Sequence, residues 1–268
     1  ISARPRAFTS IPGFHSLAGF AEDHFTWNIN KTMLEAYVGI RAFSNSSLDA
    51  KYSMSNKIYT EPRTNLRIHF PAIYIAGKPL KTTFGGGIGL LKKNPTLDHF
   101  YPNLSYRDIV ELNFFHNNPA YRMAQAYTNI IDPTNYNLVP ATNLKKELNA
   151  DFNYDGNSFN FTWFKENMDD AFRSNNLFQT IRYTDYDNSS IDASSLTAKP
   201  QLSDFKGTAV AEEYSFSQTQ NGSQILKDGF EFQFTSRRFT GINTRFTVIG
   251  AYYKTQYKNS LNIWELNQ

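Results

Sequence analysis

Residues 147–167 read ELNADFNYDGNSFNFTWFKEN, with bulky apolar groups at every second position of two runs that flank Asp155-Gly156. Asp and Gly tolerate the positive φ that a two-residue type I′ turn requires, so the stretch predicts a β-hairpin. Counting outward from the turn sets Tyr154 opposite Asn157, Asn153 opposite Ser158, Phe152 opposite Phe159, Ala150 opposite Phe161 and Leu148 opposite Trp163. One face is then nearly all apolar. The other carries Asn149, Asp151 and Asn153 against Ser158, Asn160 and Thr162. One side of this hairpin therefore requires water and the other an apolar medium or a core.

The same two-faced pattern recurs. In residues 34–43, Leu34, Ala36, Val38 and Ile40 alternate with Glu35, Tyr37, Gly39 and Arg41. In residues 229–237, Phe230, Phe232 and Phe234 alternate with Glu231, Gln233 and Thr235. Residues 16–28, 65–72, 81–91 and 244–256 are further strand candidates, and a single short helical turn is expected around residues 49–57. Connections are short at 28–31, 73–80, 155–156 and 239–242, and long at 44–64, 92–144 and 168–221. Short and long connections alternate, which in an antiparallel up-and-down meander gathers every long one at the same end. That is the plan of a transmembrane β-barrel with short periplasmic turns and long extracellular loops. Two stretches inside the long connections, residues 106–115 and 121–131, also alternate and are expected as hairpins above the membrane.

Composition narrows the function classes. Of 268 residues, 40% are hydrophobic and 16% aromatic, with 23 Phe and 16 Tyr, so the apolar content sits in rings more than in aliphatic chains. A formal charge of +3 without a Lys/Arg block gives no electrostatic footprint for nucleic acid. The lack of cysteine excludes disulfide frameworks and thiolate metal sites. No apolar run is long enough for a transmembrane helix, whereas barrel strands, which alternate, would leave no such run. The chain begins at Ile1 without a basic and apolar leader, which is expected of a mature product or an excised fragment.

Residues that could carry chemistry are scattered. Gly85-Gly86-Gly87-Ile88-Gly89 lacks the spacing of a phosphate-cradling loop and reads as a bent strand or one that other groups approach closely. His15, His24, His69, His99 and His116 form no metal-binding motif. The adjacent carboxylates Asp169-Asp170 and Glu212-Glu213 would point to opposite faces of a strand, and Asp185, Asp187, Asn188 and Asp192 lack the EF-hand spacing. No catalytic residue, metal or cofactor is expected, and the chain does not read as an enzyme. The loop aromatics Phe100, Tyr101, Tyr106 and Trp264 are the candidate substrate contacts, with packing between loops as their competing use. Alternation by itself also fits a secreted or surface β-sandwich that binds carbohydrate, and less well a passive porin.

Three segments carry a family resemblance. Gly85–Gly89 followed by KKNPTLDHFYP looks like a barrel strand and loop with a Pro-Thr-Leu and an aromatic-Pro pair. Asn137-Leu138-Val139-Pro140 followed by Lys145-Lys146-Glu147-Leu148 is similar to a strand entry of the same group, with Ala141 where an acidic residue is common. Residues 228–259 resemble one of its barrel hairpins. In order and spacing these resemble the TonB-dependent outer-membrane receptors, especially the large Bacteroidetes type related to the SusC-like transporters. The resemblance implies a single barrel segment over residues 1–268, located in the outer membrane and taking part in active uptake of a glycan, peptide or chelate. The partners it implies are outer-membrane lipid, TonB acting through a plug, and a SusD-like lipoprotein, with no nucleic acid. A plug, a TonB box and an aromatic closing residue are not recognised; the chain ends Leu266-Asn267-Gln268. About eight barrel strands are expected, against about 22 in full-length transporters of this kind, so a partial barrel is expected.

Overall fold

The computed structural model describes residue 4 and residues 6–265. Ile1 and Leu266-Asn267-Gln268, which bear on the leader and the closing residue, lie outside the described residues. The chain is all-β. Its strands are β1 (His15–Ile29), β2 (Thr32–Ser46), β3 (Ile58–His69), β4 (Ile73–Ile75), β5 (Lys78–Lys93), β6 (Ser105–Phe114), β7 (Met123–Ile131), β8 (Ala141–Tyr154), β9 (Asn157–Asp187), β10 (Lys206–Thr235) and β11 (Thr247–Asn259). One sheet runs in the order β1-β2-β3-β5-β8-β9-β10-β11, with β4 paired to the start of β5; β6 and β7 form a separate hairpin. All named strand pairs are antiparallel. The expected up-and-down meander is therefore present. β1 and β11 are its two edges and do not pair with each other among the described residues, so this sheet is open.

The hairpin at Asp155-Gly156 has the expected register, from Tyr154 opposite Asn157 to Leu148 opposite Trp163. Asp155 at φ 51° and Gly156 at φ 77° supply the two left-handed residues that match the right-handed twist of the strands. The β4–β5 turn repeats the device with Ala76 at φ 50° and Gly77 at φ 77°. Asp155 also fastens neighbouring turns, because its carboxylate pairs with Lys78 and, at 2.8 Å, with Arg237. The hydrogen bond from Lys78, with the charge of Arg237 beside it, holds the Asp155 carboxyl below the usual carboxylate range.

Register then carries across the sheet. Trp27, Leu34, Ile68, Phe84, Ala150, Phe161, Phe232 and Gly250 are partners in turn, one from each strand of the path, and all lie on one face. One residue along, Thr26, Glu35, Arg67, Gly85, Asn149, Thr162, Glu231 and Ala251 form the matching row on the other. The period of two observed in single segments is thus coherent over eight strands.

Three expectations are corrected. Residues 49–57 form turns rather than a helical turn, and the one short α-helix among the described residues, α1, spans Leu97–Phe100 instead. Its capping box joins Thr96 and His99, an uncommon pairing of side chains for that motif. Residues 168–221 are mostly strand: β9 and β10 continue as a two-stranded arm well past the end of β8, and the irregular connection covers only residues 188–205. Period-two signal fades there because residues 169–187 carry polar groups on both faces. Residues 73–80 are a small β4–β5 hairpin rather than a bare turn. The expected hairpin of residues 106–115 and 121–131 is present as β6–β7, with a bulge between Val110 and Leu112.

Gly156 tests the turn directly. A Cβ there would also lie 3.1 Å from the Arg237 Cβ. Gly156→Val should lower the unfolding free energy by about 1–2 kcal/mol, the cost of forcing an L side chain into the left-handed region. Asp155→Asn, which suits that region, should cost less. Urea midpoints of the two variants measure the difference, and equal midpoints would count against the turn as the device that sets the register.

Candidate functional site

Two regions hold convergent polar or aromatic groups: the polar face of the sheet and the end where the long connections meet. On the polar face, strand neighbours place opposite charges side by side. Arg63 reaches Glu22 at 2.6 Å across β2, and Arg41 pairs with Glu61, whose other oxygen accepts the Lys92 backbone N–H at 2.6 Å. His69 Nε2 lies 2.8 Å from Glu35, and the Thr83 hydroxyl lies 2.9 Å from His69 Nδ1. Lys145 pairs with Glu147 at 2.6 Å, and Asn160 donates to Asp151 at 2.6 Å. These charges satisfy one another, which is how a broad polar face tolerates so many ionised groups.

Gly85 and Gly87 explain the glycine run. Both face the polar side on β5, and a Cβ on either would meet an amide oxygen, Asn149 Oδ1 at 2.3 Å and Asn65 Oδ1 at 2.2 Å. The bare strand lets those amides lie across it, as expected for a strand that other groups approach closely. A groove of about 510 Å³ opens beside them, lined in part by Arg41, Glu61, Arg63, Asn65 and Lys145.

At the opposite end of the strands from the Asp155-Gly156 turn, the long connections pack into two enclosed clusters. The first joins Leu48, Tyr52, Met54 and Phe100, with Phe14, Tyr59 and Tyr101 against it. Phe100 is fully enclosed, edge-on to Phe14 at 5.4 Å and to Tyr52 at 5.3 Å, and its carbonyl accepts the Tyr52 hydroxyl at 2.6 Å. Burial pushes the Tyr52 hydroxyl well above its ordinary range, with Tyr101, Tyr136, Asp132 and Asp49 adding to the shift, so it stays protonated as that donor. The second cluster joins Leu112, Phe114 and Phe205 and ties the β6–β7 hairpin to the β9–β10 arm and its connection. Arg107 of β6 lies 3.5 Å from Glu212, and Glu111 accepts the Thr184 backbone N–H at 3.1 Å, which occupies an N–H of β9 beyond the end of β8.

Among the aromatic candidates, the structure brings Phe100 and Tyr101 together around Tyr52, with Tyr101 5.9 Å from that ring. Phe100 supports the loops and presents no surface to a ligand in this conformation. Tyr106 packs under the Arg4 guanidinium at 4.5 Å, and Arg4 pairs with Asp108 at 2.6 Å. Trp264, after β11, is 62% exposed. The adjacent carboxylates are used separately: Asp169 accepts from Gln224 and Asp170 from the Thr142 N–H, while Glu212 faces Arg107 and Glu213 faces Thr180. Asp187 and Asp192 each cap a short 3-10 turn through Ser189 and Ser194, hydrogen bonds that hold both carboxyls below the usual range. Sequence reasoning did not single out Tyr52, Asp49, Asp132 or Tyr136. They come from two loops about 80 residues apart, and only the fold places them together.

Comparison of the chain with protein-family models, curated proteins and solved structures finds no match.

The enclosed position of Phe100 yields a local test. Phe100→Ala removes the ring at the centre of the first cluster, a truncation that costs about 3–5 kcal/mol in packed sites. Limited proteolysis should then cut faster within residues 47–57 and 94–104 while the β8–β9 hairpin keeps its protection. Unchanged cleavage would show that the cluster does not hold these loops.

Proposed function

We propose that the chain forms part of the barrel wall and outer loops of a TonB-dependent outer-membrane transporter. The observation that carries this reading is the bare apolar face of the eight-strand path. Trp27 is 49%, Phe84 43% and Leu148 59% exposed, and no second layer covers that face among the described residues. A soluble sandwich would place another sheet about 10 Å away over such a face. Lipid is a medium in which these rings are stable uncovered, while the backbone stays satisfied in its ladder.

The band also has an edge. On the apolar side, Lys146, Lys165, Asp228 and Lys254 are partners in one row across β8, β9, β10 and β11. Phe159, Phe161, Trp163 and Phe230 to Phe234 lie on the turn side of it. A charged row bounding an aromatic band suits the passage from hydrocarbon to headgroups. The alternation of tight turns with long connections supports the same orientation, turns in the periplasm and long loops outside.

In this reading substrate meets the outer loops and the outer face of a plug, and TonB, driven by the proton gradient of the inner membrane, displaces that plug. The segment contributes wall and loops rather than bond chemistry. Its partners are outer-membrane lipid, TonB through the plug, and a SusD-like lipoprotein; its cargo is a glycan, peptide or chelate.

Two experiments test the proposal. Phe161→Arg puts a charge on the apolar face at a cost of roughly 2–4 kcal/mol near the bilayer midplane. It should reduce the amount of barrel inserted in the outer membrane. Asn160→Arg, on the polar face beside Asp151, should be tolerated. Equal insertion of the two variants would reject the orientation.

Topology is read with single cysteines, since none occurs among the 268 residues. A cysteine at Asn103 should react with a membrane-impermeant maleimide on intact cells. One at Lys31, in the exposed β1–β2 turn, should react only after the outer membrane is permeabilised. The reverse pattern, or a protein that is monodisperse without detergent, would reject the transporter reading.

A further inference from the structure

The apolar face of the sheet holds an uncompensated pair of like charges. Lys146 on β8 and Lys165 on β9 are direct cross-strand partners, and Asp228 and Lys254 continue their row on β10 and β11. All four are exposed, and none of them forms an ion pair among the described residues. Like charges directly opposite each other on a ladder destabilise it. Asp228 is the partner of Lys165 and Lys254 and lies two strands from Lys146, so the row carries three positive groups against one negative.

Beside this pair, towards the tight turns, the same face is hollowed. A groove of about 630 Å³ is lined in part by Leu66, Phe84, Ile88, Leu148 and Trp163, and Lys146 stands at its outward end. That volume lies in the range of ligand sites, roughly 300–1,000 Å³. The floor is the backbone of Gly86, whose register partners are Leu66 on one side and Leu148 on the other. A Cβ at Gly86 would have Leu148 Cδ2 as its nearest neighbour at 3.0 Å, so an aliphatic wall borders the floor, whereas amide oxygens occupy the space over Gly85 and Gly87 on the polar face.

We infer that the groove and the lysine pair form a binding site for one phosphate-bearing lipid, its phosphate between the Lys146 and Lys165 ammonium groups and an acyl chain along Gly86 between Leu66 and Leu148. Lysine stems lie along apolar surface while their ammonium groups reach a polar layer, which brings both charges to headgroup depth. A phosphomonoester carries about −1.5 to −2 charges at pH 7, enough to offset both lysines, and it accepts charge-assisted hydrogen bonds from each. A zwitterionic headgroup would instead add a cation to a row that is already net positive. Continuity of the groove with the lysine pair selects a lipid over free phosphate, which would leave the apolar trough unfilled. The inference deepens the transporter reading, in which lipid is the medium of this face, and rests on it for placing the site in the outer leaflet.

The test offers the protein, purified in an uncharged maltoside detergent, equimolar dioleoylphosphatidic acid and dioleoylphosphatidylcholine, and counts the bound lipid by native mass spectrometry. Phosphatidic acid should be retained over phosphatidylcholine by about tenfold or more. Lys146→Gln and Lys165→Gln should each lower that preference about fivefold, the scale of one basic residue at a membrane surface, and the double substitution should abolish it. Lys81→Gln, the same charge change opposite Asn153 on the polar face, should leave it unchanged. Since each single substitution relieves the like-charge pair, both variants should unfold no earlier than the parent in lipid-free detergent, which separates lost binding from lost folding. Equal retention of the two lipids, an undiminished preference in the double variant, an equal loss in Lys81→Gln, earlier unfolding of the single variants without lipid, or displacement of phosphatidic acid by an equal concentration of inorganic phosphate would overturn the site. Failure here with correct cysteine topology leaves the transporter reading standing. Preference for phosphatidic acid by a protein that needs no detergent would keep the site and discard the transporter.

Discussion

The ladder between β8 and β9 begins at a turn of two residues, and the count from that turn assigns a face to every side chain on both strands. Each further strand pairs in register with its neighbour, so the assignment passes unbroken from Trp27 on β1 to Gly250 on β11. A slip of one residue at any ladder would turn Phe rows towards Asn and Glu rows. That consequence is severe enough to make the register unique, and it fits the paired left-handed residues at two of the two-residue turns, Asp155-Gly156 and Ala76-Gly77, and the single one, Asn30, at the third, Asn30-Lys31.

Face assignment in turn distributes the energetics. The polar face is stabilised by ion pairs and amide contacts between adjacent strands, with glycines on β5 making room for Asn65 and Asn149. The apolar face contributes little by burial within the chain itself. Enclosed hydrophobic clusters lie instead among the long connections, where Phe100 and Leu112 are each shielded almost completely. The loops are therefore packed structures in their own right, and the cavity lined by Tyr52, Tyr101 and Tyr136 is built on that packing.

Legibility in the sequence followed the strength of the periodic signal. The β8–β9 hairpin could be read residue by residue, because an Asp-Gly turn and alternating rings agree. The boundaries of β2 and β5 were legible to within a few residues for the same reason. Extension of β9 to Asp187 was not legible, since polar residues on both faces erase the alternation. The single turn of α1 was missed because four residues are too few to show helical periodicity. The cavity was illegible on other grounds: Asp49, Tyr52, Asp132 and Tyr136 are adjacent only after residues 47–57 and 132–140 meet, and no local spacing announces such a meeting. Of the four aromatic candidates, Phe100 lies inside the enclosed cluster around Tyr52 and Tyr101 lies beside it on the cavity wall, while Tyr106 and Trp264 lie apart from both.

The β9–β10 arm beyond the bulges at Asn221 to Ile225 has a mechanical character of its own. The 16 residue pairs from Asn221 opposite Phe172 to Lys206 opposite Asp187, at roughly 3.3 Å each, make a lever of about 50 Å. Asn221 stands at its fulcrum, bonded to Val139 through both its side-chain oxygen and its amide, and to the carbonyl of Asp170. By simple trigonometry, a swing of about 5° there would move the far tip by roughly 4–5 Å, and the contacts of β6 with the arm, Arg107 with Glu212 and Glu111 with Thr184, brace it against that swing partway along its length.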